Sequence, residues 1–222
     1  MVFMARRMLS VPNSFALRFT LPHFMSKTPQ IISMQELPAS EAQWVTLKKI
    51  RFRDQEGQER QWEAAERKTR GASGVDAVAI LAILQPMDKS PPATIIIEQF
   101  RPPVEKFAIG LIDKGETPEQ TAIRELEEET GFKADGVIEC SPLMVSDPGM
   151  TSANMKLVTL RVTVASAESF NNLPKQSLER GEFIVRRVVR LDKLNEELQG
   201  AALSHFAIGY NMSIRLSRGD IL

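Results

Sequence analysis

Glu125, Glu128 and Glu129 stand at i, i+3 and i+4. On a helix, at about 100° per residue, they fall within an arc of about 100° on one face. Carboxylates that close together repel one another. A cation among them removes the repulsion, and an all-oxygen donor set suits a hard ion, Mg²⁺ or Mn²⁺, better than zinc. The run Glu-Leu-Glu-Glu-Glu on its own reads equally as a solvated acidic helix. Divalent ions held by carboxylates and substrate phosphates are a recurrent solution for phosphate chemistry, since the ion neutralises charge, polarises phosphorus and activates water.

The helix that must carry these groups is predicted over residues 118–130. Pro118 sits in its first turn, acidic residues come early and Gly131 follows its end. Ile123 and Leu126 occupy a neighbouring face and are expected to anchor it in the core, while Arg124 is spaced to pair with an acid. Glu116 lies in the preceding loop, where Gly110 and Gly115 permit a tight turn and a close approach to an ion. Strands are predicted over residues 44–52 and, beyond a turn signal at 54–57, over 60–67, the latter despite helix-like composition. Apolar runs at 75–84 and 94–100 read as buried strands. Further strands are predicted at 157–164 and 183–191, with a polar loop at 173–181 between them and a helical segment at 194–199. Strands mixed with a few helices give an α+β or mixed α/β class.

The chain of 222 residues is long enough for one domain with a core and a small appended subdomain. Its formal net charge of zero argues against nucleic acid as a partner. The only cysteine, Cys140, excludes an intrachain disulfide and reads as a packed thiol. No apolar run is long enough for a membrane helix. Residues 1–35 contain no Asp or Glu but do contain Arg6, Arg7, Arg18 and Lys27, with scattered serines. This pattern reads as a mitochondrial transit peptide or as a disordered tail, so the expected location is cytoplasmic or mitochondrial, with a nuclear one as a further alternative. The expected organisation is a leader or tail at 1–28, an N-terminal β subdomain at 29–72 and the main domain at 73–222.

Gly110, Glu116, Arg124, Glu125, Leu126, Glu128, Glu129, Gly131 and Phe132 agree at every specified position with the Nudix box, G-x5-E-x7-R-E-U-x-E-E-x-G-U, where U is aliphatic or aromatic. Chance agreement is on the order of 10⁻⁸ to 10⁻⁹ per start site at typical residue frequencies. The chain resembles the ADP-ribose pyrophosphatase branch of the Nudix hydrolases over roughly residues 31–207. Outside the box the resemblance is carried by Gln43-Trp44-Val45, Gln61-Trp62-Glu63, Gln99-Phe100-Arg101-Pro102-Pro103, Asp147-Pro148-Gly149-Met150 and Gly181-Glu182-Phe183.

That resemblance implies a Nudix fold: an α/β/α sandwich around a mixed sheet, with a small N-terminal antiparallel β subdomain exchanged in a homodimer. It implies Mg²⁺-dependent cleavage of a small nucleoside diphosphate sugar, ADP-ribose foremost, to AMP and ribose 5-phosphate. Glu125, Glu128 and Glu129, with a backbone oxygen near Gly110, would bind the ion. Glu182 would position or deprotonate the attacking water, with Glu128 as a second catalytic carboxylate. Trp44 and Trp62, from different subunits, would sandwich adenine, and Glu63 would read its edge. Arg67 and Arg101 would hold the phosphates and terminal ribose, and Leu111 would also line the substrate site. Glu116, Arg124 and Gly131 would maintain the motif.

Taken residue by residue, alternatives remain. The tryptophans suit base stacking or simple packing. Arg101, ahead of two prolines, reads as a fixed phosphate donor or a surface arginine, and Glu182 as a loop base or a solvated residue. The chain also departs from the family. The usual Glu-x-Pro-Ala-Gly ahead of Leu-Ile-Asp is replaced by the shorter run Pro103 to Gly110, and the chain after Tyr210 differs from the family's closing helix. The alternatives to an ADP-sugar enzyme are therefore a UDP-sugar pyrophosphatase and a catalytically weak nucleotide-binding variant.

Overall fold

The structure, a computed structural model, describes residues 29–71, 73–104, 106–107 and 116–200. The leader-like residues 1–28 lie outside them. Two strands, β1 (Val45–Arg53) and β2 (Glu59–Arg67), form an antiparallel hairpin paired without interruption from Val45↔Arg67 to Arg53↔Glu59. Its turn is built by Asp54, whose carboxylate accepts from the N–H groups of Glu56 (3.0 Å) and Gln58 (2.8 Å) and from Arg60 Nε (2.8 Å). Gly57 supplies the left-handed conformation that the turn needs, φ 78°. The ladder with β1 overrides the helical propensity of β2.

The remaining strands are β3 (Ala77–Pro86), β4 (Ala93–Glu98), β5 (Phe100–Arg101), β6 (Lys106–Phe107), β7 (Gly136–Cys140), β8 (Met144–Val145), β9 (Asn154–Val164) and β10 (Val185–Arg190). The helices are α1 (Pro118–Thr130) and α2 (Leu194–Gly200). The main sheet runs β10-β4-β3-β9-β7, with β8 also on β9, while β5 and β6 form a separate short pair. The β3–β9 pair is parallel and the others are antiparallel. The result is the mixed α/β class that the order of apolar runs predicts.

Strand alternation divides the core between the two faces of β3. Val78, Ala82 and Leu84 pack with Ala122 and Leu126 of α1 and with Val158, Leu160 and Val162 of β9. Leu81 and Ile83 face the other way, onto Val189, Leu191 and Leu194. The sheet thus lies between α1 and the β10–α2 corner. Near-continuous apolar strands with both faces covered are what a parallel pair at a sheet centre requires.

Three short strands, β6, β7 and β8, were not expected. β7 leaves Val137 and Ile138 exposed at a sheet edge, and its register shifts between Val137 and Glu139, so no period-two burial marks it. β9 also starts earlier than predicted. Buried Asn154 and Asp76 clasp each other there: Asp76 N–H donates to Asn154 Oδ1 (2.9 Å) and Asn154 N–H to Asp76 Oδ2 (3.1 Å). Arg70 completes the clasp, donating to both Asp76 oxygens (2.8 and 2.7 Å) and to the Ser152 carbonyl (2.6 Å). Burial pushes the Asp76 pKa up, but Arg70 and the Asn154 N–H outweigh it and hold the carboxyl below its usual range.

The described residues from Ile31 onward group as one compact unit, which includes the hairpin. The hairpin is fastened to the turn ahead of β9. Ala65 N–H donates to the Met150 carbonyl (2.9 Å), and Ser152 N–H donates to the Ala65 carbonyl (3.1 Å). Among the described residues no helix is long and apolar enough to cross a membrane.

Candidate active site

Helix α1 is delimited by its own sequence. Thr117 Oγ1 accepts from Gln120 N–H (3.2 Å) and Gln120 Oε1 accepts from Thr117 N–H (3.0 Å), a reciprocal cap worth about 1 kcal/mol. Pro118 occupies the first turn, and Gly131 ends the helix in the left-handed conformation, φ 77°. Leu126, 2% exposed, anchors the helix as expected. Ile123 does not: it is 37% exposed, and Ala122 takes the core position instead. The angular step from Leu126 to Ile123 carries Ile123 past the edge of the buried face.

The three carboxylates that the spacing puts on one face are divided between two surroundings. Glu125, 8% exposed, and Glu129 open into a pocket between α1 and the sheet, whose other walls include Ile80, Ile95 and Ile97. Glu128 lies on a shallow depression on the other side of the helix, with Arg124 and Ser177. Arg124 donates to Glu128 Oε2 (2.7 Å) and, through Nε and a terminal nitrogen, to both oxygens of Glu116 (3.0 Å each). Thr121 Oγ1 adds a bond to Glu116 (2.9 Å). The guanidinium, and after it Thr121, hold the Glu116 carboxyl below its ordinary pKa against the opposing effect of burial, and Arg124 is held further into its charged form. The predicted pairing of Arg124 with an acid is thus found twice.

Glu129 has the opposite balance. Burial pushes its carboxyl up to about 7, the charges of Glu182 and Glu128 push the same way, and Arg101 opposes them. Arg101, Glu128 and Glu182 therefore lie within electrostatic reach of Glu129. Glu182 sits on an exposed turn in which its N–H donates to the Glu179 carbonyl (3.1 Å) and its Oε2 accepts from Glu179 N–H (3.0 Å). Gly181 makes that turn with φ 94°.

Among the described residues no three His, Cys, Asp or Glu side chains gather closely enough to hold an ion, with Glu128 turned to Arg124. The donor chemistry still fits a hard divalent ion. Glu125 and Glu129 offer oxygen only, and the surroundings of Glu129 disfavour its charge until a cation compensates it. Gly110 and Leu111, read as a backbone ligand and a substrate contact, lie outside the described residues.

The residues expected to meet the base are on the hairpin. Trp44 is 69% and Trp62 49% exposed. Trp62 Nε1 donates to the Gly149 carbonyl (3.0 Å), and its ring meets Phe52 edge-on at 6.5 Å. Glu63 falls on the opposite face of β2 from Trp62, the face of Arg67. Arg67 helps to stabilise the Asp76 carboxylate by charge.

Sequence reasoning missed the groups that hold the far end of α1. The helix has no basic residue in its last turn. Its final carbonyls are satisfied from elsewhere: Ser177 N–H donates to Glu128 O (2.8 Å), Gln176 Nε2 to Glu129 O (2.6 Å), and Arg186 to Thr130 O. Arg186 also reaches Pro174 O (2.5 Å). Its one sequence signal is the adjacent pair Arg186-Arg187 set between the valines of β10.

Residues 74–207 match the model of the NUDIX domain family. Over 189 residues the chain is 42% identical to an uncharacterized Nudix hydrolase of Schizosaccharomyces pombe, covering 83% of this chain and 90% of that one. It is 42% identical to an ADP-ribose pyrophosphatase of Saccharomyces cerevisiae, covering 72% and 69% of the two chains. It is 37% identical to an ADP-sugar pyrophosphatase of Mus musculus, covering 73% of each. A crystal structure of an ADP compounds hydrolase superposes with a TM-score of 0.57 over 87% of this chain and 96% of that one, at 20% identity, a likeness of fold. The chain belongs to the Nudix family and is a Nudix hydrolase. Enzymes of this family generally use divalent metal ions.

Proposed function

We propose that the chain hydrolyses the diphosphate of ADP-ribose and related ADP-sugars, yielding AMP and, from ADP-ribose, ribose 5-phosphate, with Mg²⁺ as its ion and Mn²⁺ as a substitute. One observation carries the reading: the half-buried carboxylate of Glu129, in a pocket it shares with Glu125, is destabilised by Glu182 and relieved by Arg101. Such a site favours a cation and, beside it, an anionic substrate. The names of the yeast and mouse relatives support ADP-sugars as that substrate.

Glu125 and Glu129 would hold the ion, joined by Glu128 if it leaves Arg124 and by the backbone near Gly110. Bound there, the ion would supply charge neutralisation and polarisation of the diphosphate. Arg101 orients a phosphate by charge-assisted hydrogen bonds. Glu182 accepts a proton from the attacking water as the bond between that phosphorus and the bridging oxygen breaks. Attack at either phosphorus gives the same two products. Trp44 and Trp62 stack on the base, Glu63 reads its edge, and Arg67 binds on the sugar side. The exposed apolar residues Leu47, Ile50 and Phe52 of the hairpin support its pairing with a second copy as a homodimer.

The test is AMP release from ADP-ribose with Mg²⁺, beside a UDP-sugar panel. Release well above a Glu129→Gln control is expected. Release equal to that control, or preference for UDP-sugars, would refute the proposal.

A further inference from the structure

The segment that carries Glu182 leaves the body of the protein after Gln176 and returns at Ile184. Both ends meet at one side-chain amide. Gln176 Nε2 donates to the carbonyl of Glu129 (2.6 Å) and to that of buried Ile184 (3.2 Å). The next residue, Ser177, donates its N–H to Glu128 O (2.8 Å). Between these anchors, Glu179 to Phe183 are exposed, and a Cβ on Gly181 would meet nothing within 4 Å.

We infer that Gln176 is a positioning residue for hydrolysis: its amide closes the neck of the Glu182 loop and fastens that neck to the backbone of Glu129. A loop held at a single point lets its tip wander, and displacement of a reacting group by about 1 Å can cost on the order of 10²-fold in rate. Here one donor group binds the return end of the loop at Ile184 and, at its departing end, the backbone of Glu129 on α1. Two buried or half-buried carbonyls depend on it, so the amide is itself fixed. The neck takes its reference from the helix that carries Glu125 and Glu129, and the distance between the loop carboxylate and the pocket is set there. No pattern in the sequence announces this role, since Gln176 lies in a polar loop 47 residues from Glu129.

The inference rests on the reading of Glu182 given above, and the experiment separates the two. Gln176→Glu keeps the shape of the side chain and removes its donors; Gln176→Met removes them without adding a charge. Each is compared with the unaltered chain and with Glu182→Gln in two assays. The first is the rate of trypsin cleavage after exposed Arg180, which needs no substrate. Opening of the neck is expected to raise it on the order of tenfold in both Gln176 variants, without a matching rise at sites on the hairpin. The second is steady-state hydrolysis of ADP-ribose well below the unfolding temperature. We expect kcat to fall roughly 10- to 100-fold while KM stays within about threefold, because substrate contacts remain and only the reacting geometry is lost. Unchanged cleavage after Arg180 would overturn the latch. A lowered Tm with kcat intact would reduce Gln176 to a structural residue. Full activity of Glu182→Gln would instead sink the role of Glu182, and with it any catalytic consequence of the latch.

Discussion

Trp44 and Trp62 stand six residue positions apart on one hairpin. Trp62 pairs with Ile50, six residues after Trp44, and the ladder continues to Trp44, whose carbonyl accepts from Lys68 N–H (3.0 Å). At about 3.3 Å per residue the separation is roughly 20 Å. Two rings that clamp a base between them must approach to roughly 7 Å. The two tryptophans of one chain therefore cannot close on the same base, and a sandwich made by both requires a second chain.

This yields a complementation prediction. Trp44→Ala and Trp62→Ala are each expected to raise KM for ADP-ribose strongly. After mixing and subunit exchange, each heterodimer regains one intact site, so about a quarter of all sites recover in a two-fold symmetric dimer. The measurement is activity at low substrate before and after mixing. No recovery, with exchange verified by mass, would place the two residues in separate roles.

Glu129→Gln should separate stability from turnover. Its carboxylate is charged at pH 8 in surroundings that push its pKa up to about 7, chiefly through burial and then through Glu182. The neutral amide removes that penalty, so in EDTA the variant should melt a few degrees higher than the unaltered chain. Hydrolysis should fall on the order of 10²-fold or more, because the charge that holds the ion is gone. A melting temperature lowered in EDTA would contradict this account.

The direction of the pH dependence follows from the same groups. The folded pKa of Glu129 lies above its ordinary value of 4.5, so its contribution to stability is complete below about 4.5 and is lost as pH rises through about 7. Glu116 and Asp76 are held below their ordinary values, and their contributions are present above those values and lost as pH falls through the lower folded ones. The metal-free protein should accordingly be most stable between these limits. An ion at Glu129 competes with the proton, so the rise in Tm on adding Mg²⁺ should shrink as pH falls from 8 to 6. Thermal scans with EDTA and with Mg²⁺ across that range measure it; an increment independent of pH would contradict it.

Local chemistry was legible in the sequence and distant chemistry was not. Thr117, Pro118, Gln120 and Gly131 delimit α1 through bonds within a few residues, and Arg124 finds Glu128 at i+4. The same spacing could not reveal that Arg124 also binds both oxygens of Glu116, because that depends on where Glu116 lies against the helix. β2 was readable through its turn rather than its composition. β7, an exposed edge, has no buried face to leave a period. The anchors at the end of α1 lie 47 and 56 residues away in sequence and are set by folding of the sheet, so no local pattern encodes them.

Gly131 and Gly57 share a backbone conformation but not their surroundings. Both have positive φ, 77° and 78°. A Cβ on Gly57 would meet nothing within 4 Å, so Gly57→Ala carries the left-handed cost alone, about 1 kcal/mol. A Cβ on Gly131 would lie 2.5 Å from the Lys175 carbonyl oxygen and 2.8 Å from Pro174 Cβ. That neighbour is backbone, so the 174–176 segment must move. Gly131→Ala should therefore cost about 3 kcal/mol or more in urea unfolding, beyond the shared conformational cost. The movement pulls Gln176 from Glu129 and Pro174 from Arg186, the contacts that fix the loop of Glu182 to α1. Residual folded Gly131→Ala should show reduced kcat, whereas Gly57→Ala should keep the kcat of the unaltered chain. Equal destabilisation of the two variants would mean that the segment yields freely, and that α1 does not depend on it.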